Sequence, residues 1–313
     1  MHILEIFCLA NAAEEELEIF IKHHLKSSHV CVTLFLDNPD HMAFDCLKKF
    51  DDRLKIVPCD EKHWKKLLGR MPKDMPEKQH ANIEFGAQLA RSRGSKFAIS
   101  IDHDELIHPL SDLTDFLKGE GLNSKVDLYR VSPLEAIFEL PVDTLSTPFE
   151  ARWFRVLLIS DLNYKRRIQR LSFWLAVRLR LMNLFSRRGF LGHTQGKTVF
   201  RLSTPFTKWG QHNQKSDVVE ILENKFDSTN ILHFDAMSYD HWYTKWHRRT
   251  LGDTKATAIS KGRKLQTKLS KFAIRFERFG LAKFLFKFLY AFRQKSLLQM
   301  RNHKLVVKIE WDK

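Results

Sequence analysis

Four short apolar, β-favouring runs, at residues 3–9, 30–36, 54–58 and 96–101, are separated by stretches of helical periodicity. Such alternation restricts the fold to an α/β domain with a mostly parallel sheet and right-handed crossovers, flanked by helices. The first crossover is expected as a helix over residues 14–26, its glutamates crowding the positive end of the helix dipole. A short helix is expected at 42–50, a loop or broken helix at 62–76, and a helix at 77–93 closed by Gly94. At 313 residues the chain has room for one large domain or for a domain with an appendage.

The fourth run ends in Asp102, Asp104 and Glu105, three carboxylates within four residues. Crowded acids are costly unless a cation neutralises them, and an oxygen-only set at a strand end suits Mg2+ or Mn2+ with a diphosphate. Ligands of parallel sheets collect at the carboxyl ends of the strands, so Asn11 and Asp37 are expected on the same rim. Each also reads as an ordinary turn or cap residue when taken alone. Neither phosphate-binding glycine signature, G-x-G-x-x-G or G-x-x-x-x-G-K-[ST], is present, which disfavours dinucleotide dehydrogenases and P-loop NTPases.

A net charge of +15 implies an anionic partner. Cys8, Cys31, Cys46 and Cys59 show no metal-binding spacing and read as reduced thiols of a cytoplasmic protein. The N-terminus lacks a signal-peptide pattern, and no uncharged stretch approaches the roughly 20 residues that span a bilayer. Residues 164–190 carry eight Lys or Arg and no acid, interleaved with Leu, Phe and Trp; the region from Lys261 repeats this pattern, with Glu277 its only acid before Lys304. Both are expected as basic amphipathic helices, either lying in an anionic membrane interface or packing on the domain.

The segments Phe7-Cys8-Leu9-Ala10-Asn11-Ala12-Ala13-Glu14-Glu15, His23-His24-Leu25, Asp37-Asn38 and Ile101-Asp102-His103-Asp104-Glu105-Leu106-Ile107 resemble those of GT-A fold glycosyltransferases of the family 2 type. Gly196-Lys197-Thr198-Val199-Phe200-Arg201, His212, Ile231-Leu232-His233-Phe234 and the run Ser238 to Lys245 extend the likeness across residues 1–250. Two departures touch the nucleotide pocket. Ala12 and Ala13 stand before the first acid, and Asp37-Asn38-Pro39-Asp40 lacks the family's serine.

The resemblance implies a GT-A (Rossmann-like) domain over 1–250, with the basic insertion at 164–190 and a basic helical C-terminal region at 251–313. It implies a metal-dependent, inverting transfer of a sugar from a nucleoside diphosphate, UDP foremost, to a lipid-linked or phosphorylated surface glycan. Asp102 and Asp104 would hold Mn2+ or Mg2+, with His233 either a further ligand or a core histidine, and Glu105 would orient the metal shell or the sugar. The donor would meet Asn11, Asp37, Asn82, Asp102, Lys197 and Arg201, and the sugar or acceptor would meet His193 and His212. The general base is sought among Glu135, Asp143, Glu150 and Asp217, with Glu135 preferred. The expected location is cytoplasmic, peripherally attached to the inner face of a membrane. A basic nucleic-acid-binding protein leaves the acidic triplet unexplained, and a sugar nucleotidyltransferase would want a glycine-rich basic loop where 11–15 is acidic.

Overall fold

The computed structural model describes residues 2–142, 144–158, 160–184, 186–192, 194–251 and 261–311. Two compact units emerge: residues 1–132 with 195–231, and residues 133–194 with 232–313. The basic stretch 164–190 and the C-terminal region therefore share one unit.

In chain order the alternating half comprises β1 (Leu4–Ala10), α1 (Glu14–His24), β2 (Val30–Leu36), β3 (Leu54–Pro58), α2 (Glu61–Leu68), α3 (Met75–Ser92) and β4 (Phe97–Ser100). Then follow β5 (Glu105–His108), α4 (Leu110–Phe116), β6 (Leu128–Glu139), β7 (Trp153–Val156), α5 (Asp161–Gln169), α6 (Phe173–Met182), β8 (Lys197–Arg201) and β9 (Glu223–His233). The chain closes with α7 (Tyr239–Leu251), α8 (Lys261–Arg275), α9 (Leu281–Tyr290), β10 (Ala291–Phe292), α10 (Gln294–Asn302) and β11 (Val306–Lys308).

In the first unit the strands run in the order β3-β2-β1-β4-β8-β6. The four expected strands are parallel to one another, while β8 is antiparallel both to β4 and to the start of β6. The fold is thus mixed α/β, and in this unit the parallel strands β1 to β4 come from the first hundred residues. Every residue of β2 is buried, as is β1 apart from Leu9, which explains why both read as continuous apolar runs. Glu5 is the exception in that core. Its buried carboxylate accepts from Thr33, Ser95 and Arg93, so both oxygens that burial strips of water find donors. On α3, Gly86 permits contact with β1: a Cβ there would stand 3.0 Å from the Phe7 ring.

Two expectations change. Residues 62–76 begin as α2, capped by Asp60, which accepts from the His63 N–H, and closed by Gly69 at φ 69°. Its lysines face solvent while Trp64 is buried, so their abundance marks an outer face and not a loop. At 42–50 there are two short 3-10 turns, Pro39–Ala43 and Asp45–Lys48, in place of an α-helix.

In the second unit, β7 pairs antiparallel with β6 and with β11, and β10 pairs parallel with the end of β6. Helices α5 to α10 belong to this unit. Cys8, Cys31 and Cys59 are buried and unbridged. Among the described residues no helix is long and apolar enough to cross a membrane.

Candidate donor site

Three of the expected residues meet at the carboxyl rim of the parallel strands in the first unit. Ala10 and Leu36 are partners in register, and the Asp37 N–H donates to the Ala10 carbonyl at 2.9 Å, so Asn11 and Asp37 leave neighbouring strands side by side. On the other flank of β1 the Ile101 N–H donates to the Phe7 carbonyl at 3.0 Å and delivers Asp102 to the same rim. Because β2 and β4 lie on opposite sides of β1, the strand order reverses there, which is where an open α/β sheet leaves a ligand crevice.

The acids occupy a tight turn. The Glu105 N–H donates to the Asp102 carbonyl at 3.0 Å, and the Glu105 carboxylate returns to accept from the Asp102 N–H at 2.9 Å. Antiparallel β8 brings its first residue to this turn, since Ile99 faces Val199 in the register. The Lys197 ammonium lies 2.8 Å from Asp102 and 3.0 Å from Glu105, and Gln211 bridges Lys197 and Asp102 at 3.1 Å to each. Burial pushes the Asp102 carboxyl up, but the Lys197 charge and these hydrogen bonds outweigh it and hold the group down at about 2. Lys197 is likewise penalised by burial yet raised by Asp102 and Glu105, so it stays charged. Glu105 therefore faces inward, tying the turn together.

The histidine pair of α1 acts on the strand that leaves this turn. His23 Nε2 donates to the Ile107 carbonyl at 2.8 Å. His24 Nδ1 donates to the Phe20 carbonyl at 2.9 Å, which leaves its Nε2 to accept from the Ile107 N–H at 3.3 Å. Two side chains thus satisfy both backbone groups of a residue two positions after Glu105. His24 falls within the helix expected over 14–26, but only the tertiary contact shows that the pair anchors the acidic turn to α1.

On the β2 side, Lys78 of α3 donates to both oxygens of Asp37, at 2.7 and 2.9 Å. Asn82, one turn further, is buried: it accepts from His63 Nε2 at 2.7 Å and donates to Cys59 Sγ at 3.5 Å. Burial and these partners make Asn82 a brace for the end of β3. Lys78 was missed, and its signal was the helical spacing that sets it one turn from Asn82.

Other expected residues lie elsewhere. Lys197 and Arg201 share a face of β8, as period two requires, but occupy opposite ends of the strand. Arg201 faces Phe97, the first residue of β4, and donates to the carbonyls of Gly121, Ser124 and Val126. It closes a loop at the amino rim, at the far end of β8 from the acidic turn. His212 follows Gln211 and bonds through Nδ1 to the Gly196 carbonyl, next to Lys197. His233 belongs to the second unit, where a Cβ on Gly192 would come within 2.9 Å of its Nδ1. His193 and Asp143 lie outside the described residues.

Glu135, the base preferred from sequence, is fully buried in the second unit. Its carboxylate accepts from Arg155 at 2.7 Å, from the Gly192 N–H at 2.8 Å and from the Leu191 N–H. With these donors on both oxygens and no exposed surface, Glu135 anchors the 191–192 loop.

No family model matches the chain, and no curated protein does. Solved structures similar to it include residues 1–349 of TarS from S. aureus, at 11% identity and a TM-score of 0.36, covering 88% of this chain and 72% of that one. Another is CMP:2-keto-3-deoxy-manno-octonic acid synthetase complexed with CTP, at 12% identity and a TM-score of 0.27, covering 49% of this chain and 63% of that one. A third is mannose-1-phosphate geranyltransferase from Thermus thermophilus, at 10% identity and a TM-score of 0.27, covering 49% of this chain and 48% of that one. Likenesses this distant leave function to the chemistry of the site.

Among the described residues no group of three His, Cys, Asp or Glu is gathered to hold a metal. The donor set at the turn still suits Mg2+ or Mn2+. Each Asp102 oxygen accepts one hydrogen bond and keeps a second lone pair, and Asp104 supplies a further carboxylate two residues on. An ion with so few protein ligands would complete its shell with diphosphate oxygens and water, as Mg2+ commonly does.

Proposed function

We propose that this chain is a glycosyltransferase that binds a nucleoside diphosphate sugar, a UDP-sugar foremost, across the carboxyl rim of its parallel strands. The observation that carries the reading is the convergence of Asn11, Asp37 and the Asp102–Glu105 turn on the strand-order reversal, with a buried lysine beneath the turn. Asn11 and Asp37 would line the nucleoside crevice. Asp102 and Asp104 would present carboxylates to Mn2+ or Mg2+, which when bound neutralises the charge that develops on the leaving diphosphate.

The residues around the turn account for its readiness. Lys197, itself buried, keeps Asp102 ionised, while His23 and His24 fix the backbone that follows. The turn therefore enters the reaction already shaped, and little reorganisation is left for donor binding to drive. His212 stands beside Lys197 as a candidate for the sugar pocket. Inverting transfer, and a lipid-linked or phosphorylated glycan as acceptor, extend the same reading.

The test is calorimetric titration of UDP into the protein with and without Mn2+, repeated on the Asp102→Asn, Asp104→Asn variant. Metal-dependent binding that disappears in the variant is the expected result. Absence of binding by UDP, GDP and the other nucleoside diphosphates overturns the proposal.

A further inference from the structure

Helix α6 departs from the basic amphipathic pattern its sequence suggests. Its inner face buries Leu175, Ala176, Leu179 and Met182. The opposite stripe is also apolar and stands in solvent: Phe173 is 71% exposed, Trp174 79%, Leu181 48% and, just beyond the helix, Leu184 64%. These four recur at the spacings of one helical face. Six cations of the segment lie before and after it, at Lys165, Arg166, Arg167 and Arg170 and then at Arg187 and Arg188, while Arg178 and the exposed Arg180 belong to the helix itself.

Helix α8 of the same unit is arranged inside out. It buries Gln266, Ser270 and Ala273 and exposes Leu265, Leu269 and Phe272, a stripe continued by exposed Phe279. Water disfavours each such face in proportion to the apolar surface left uncovered, so two of them in one unit point to a medium other than water. The exposure of α6 is also enforced. Arg178 on its inner side donates to the carbonyls of Lys287, Phe288 and Ala291 at the end of α9, which holds the helix with Phe173 and Trp174 outward.

We infer that α6 and α8 dock this protein on an anionic lipid surface, with Phe173, Trp174, Leu181 and Phe272 entering the headgroup–acyl boundary. Charge selects this occupant. Residues 164–190 contain no acid and 261–309 contain only Glu277, so a second copy would oppose cations to cations, whereas anionic headgroups complement them. Aromatic and leucine side chains flanked by Lys and Arg are the composition of helices that lie in the interface plane. The inference stands on these helices alone, and vesicle binding is measured independently of UDP binding.

The experiment uses the full chain with vesicles of phosphatidylglycerol and phosphatidylcholine, read by flotation and by tryptophan emission. Binding to the anionic vesicles is expected, with a blue shift contributed by Trp174, and binding to pure phosphatidylcholine is expected to be at least tenfold weaker. The Phe173→Ser, Trp174→Ser, Leu181→Ser variant alters only exposed side chains, so an unchanged circular dichroism melt is expected together with at least a tenfold loss of vesicle affinity. No binding by the unmodified protein overturns the inference. Binding that survives the triple substitution reduces it to electrostatic adsorption and overturns insertion by α6. A dimer without lipid that dissociates in the variant assigns the face to a second copy and overturns it as well.

Discussion

The Lys197 ammonium sits 2.8 Å from the Asp102 carboxylate with only 3% of its side chain exposed, so the candidate donor site contains a cation of its own. Replacing it by methionine leaves two acids of the turn without their nearest positive charge. Lys197→Met is expected to destabilise the protein by about 3–5 kcal/mol in urea denaturation, the range for breaking a buried pair from one side. It should also raise the Asp102 carboxyl from about 2, observable by NMR titration. The sign follows from linkage: a carboxyl held below its usual value near ~3.9 contributes stability above that value and loses it as pH falls toward about 2. In the variant the native carboxyl titrates closer to the unfolded one, so that acid loss should shrink. An unchanged Asp102 titration would mean that the ion pair does not set its charge.

Acid sensitivity should come mainly from the histidine pair. Burial pushes His23 down to about 4 and His24 well below its ordinary value, so both are neutral in the fold. The unfolded chain takes up protons near pH ~6.5 while the native state does not, so stability should decline as pH falls from about 6.5 toward about 4. His24→Ala should cost about 2–4 kcal/mol from the lost packing and the unpartnered Ile107 N–H, and should flatten this slope. Equal slopes in wild type and variant would assign the acid sensitivity elsewhere.

Glu135→Gln separates anchoring from catalysis. If the carboxylate serves Arg155 and the 191–192 loop, the variant should lose about 3 kcal/mol or more in thermal or chemical denaturation, because a buried guanidinium loses its charge partner. A variant as stable as wild type yet inactive would restore Glu135 as the base.

Two glycines distinguish steric from backbone constraint. At Gly192 an added Cβ meets His233 at 2.9 Å, and Gly192→Ala is expected to destabilise by about 1–3 kcal/mol. At Gly69 nothing lies within 4 Å but φ is +69°, so Gly69→Ala should cost only about 1 kcal/mol, the left-handed backbone penalty. Equal costs in denaturant titrations would contradict this division.

Local pattern was enough to locate β2 and β3 and the strand leading to Asp102, because buried parallel strands are continuous apolar runs bounded by turn residues. It was also enough to put Asn11, Asp37 and the acidic turn on one rim, since strand direction alone determines which ends converge. Position along a strand was not legible. Period two matches Lys197 with Arg201 on a face, but only the pairing of β8 with β4 shows that one reaches the acids and the other braces the far rim. Nor does a sequence reveal which polar groups are already engaged: Glu135, Asn82 and the His23–His24 pair acquire their roles from partners up to 84 residues away. The same limit governs α6 and α8. Composition announced basic and apolar helices, whereas which apolar face is buried is decided by long-range packing that no local period encodes.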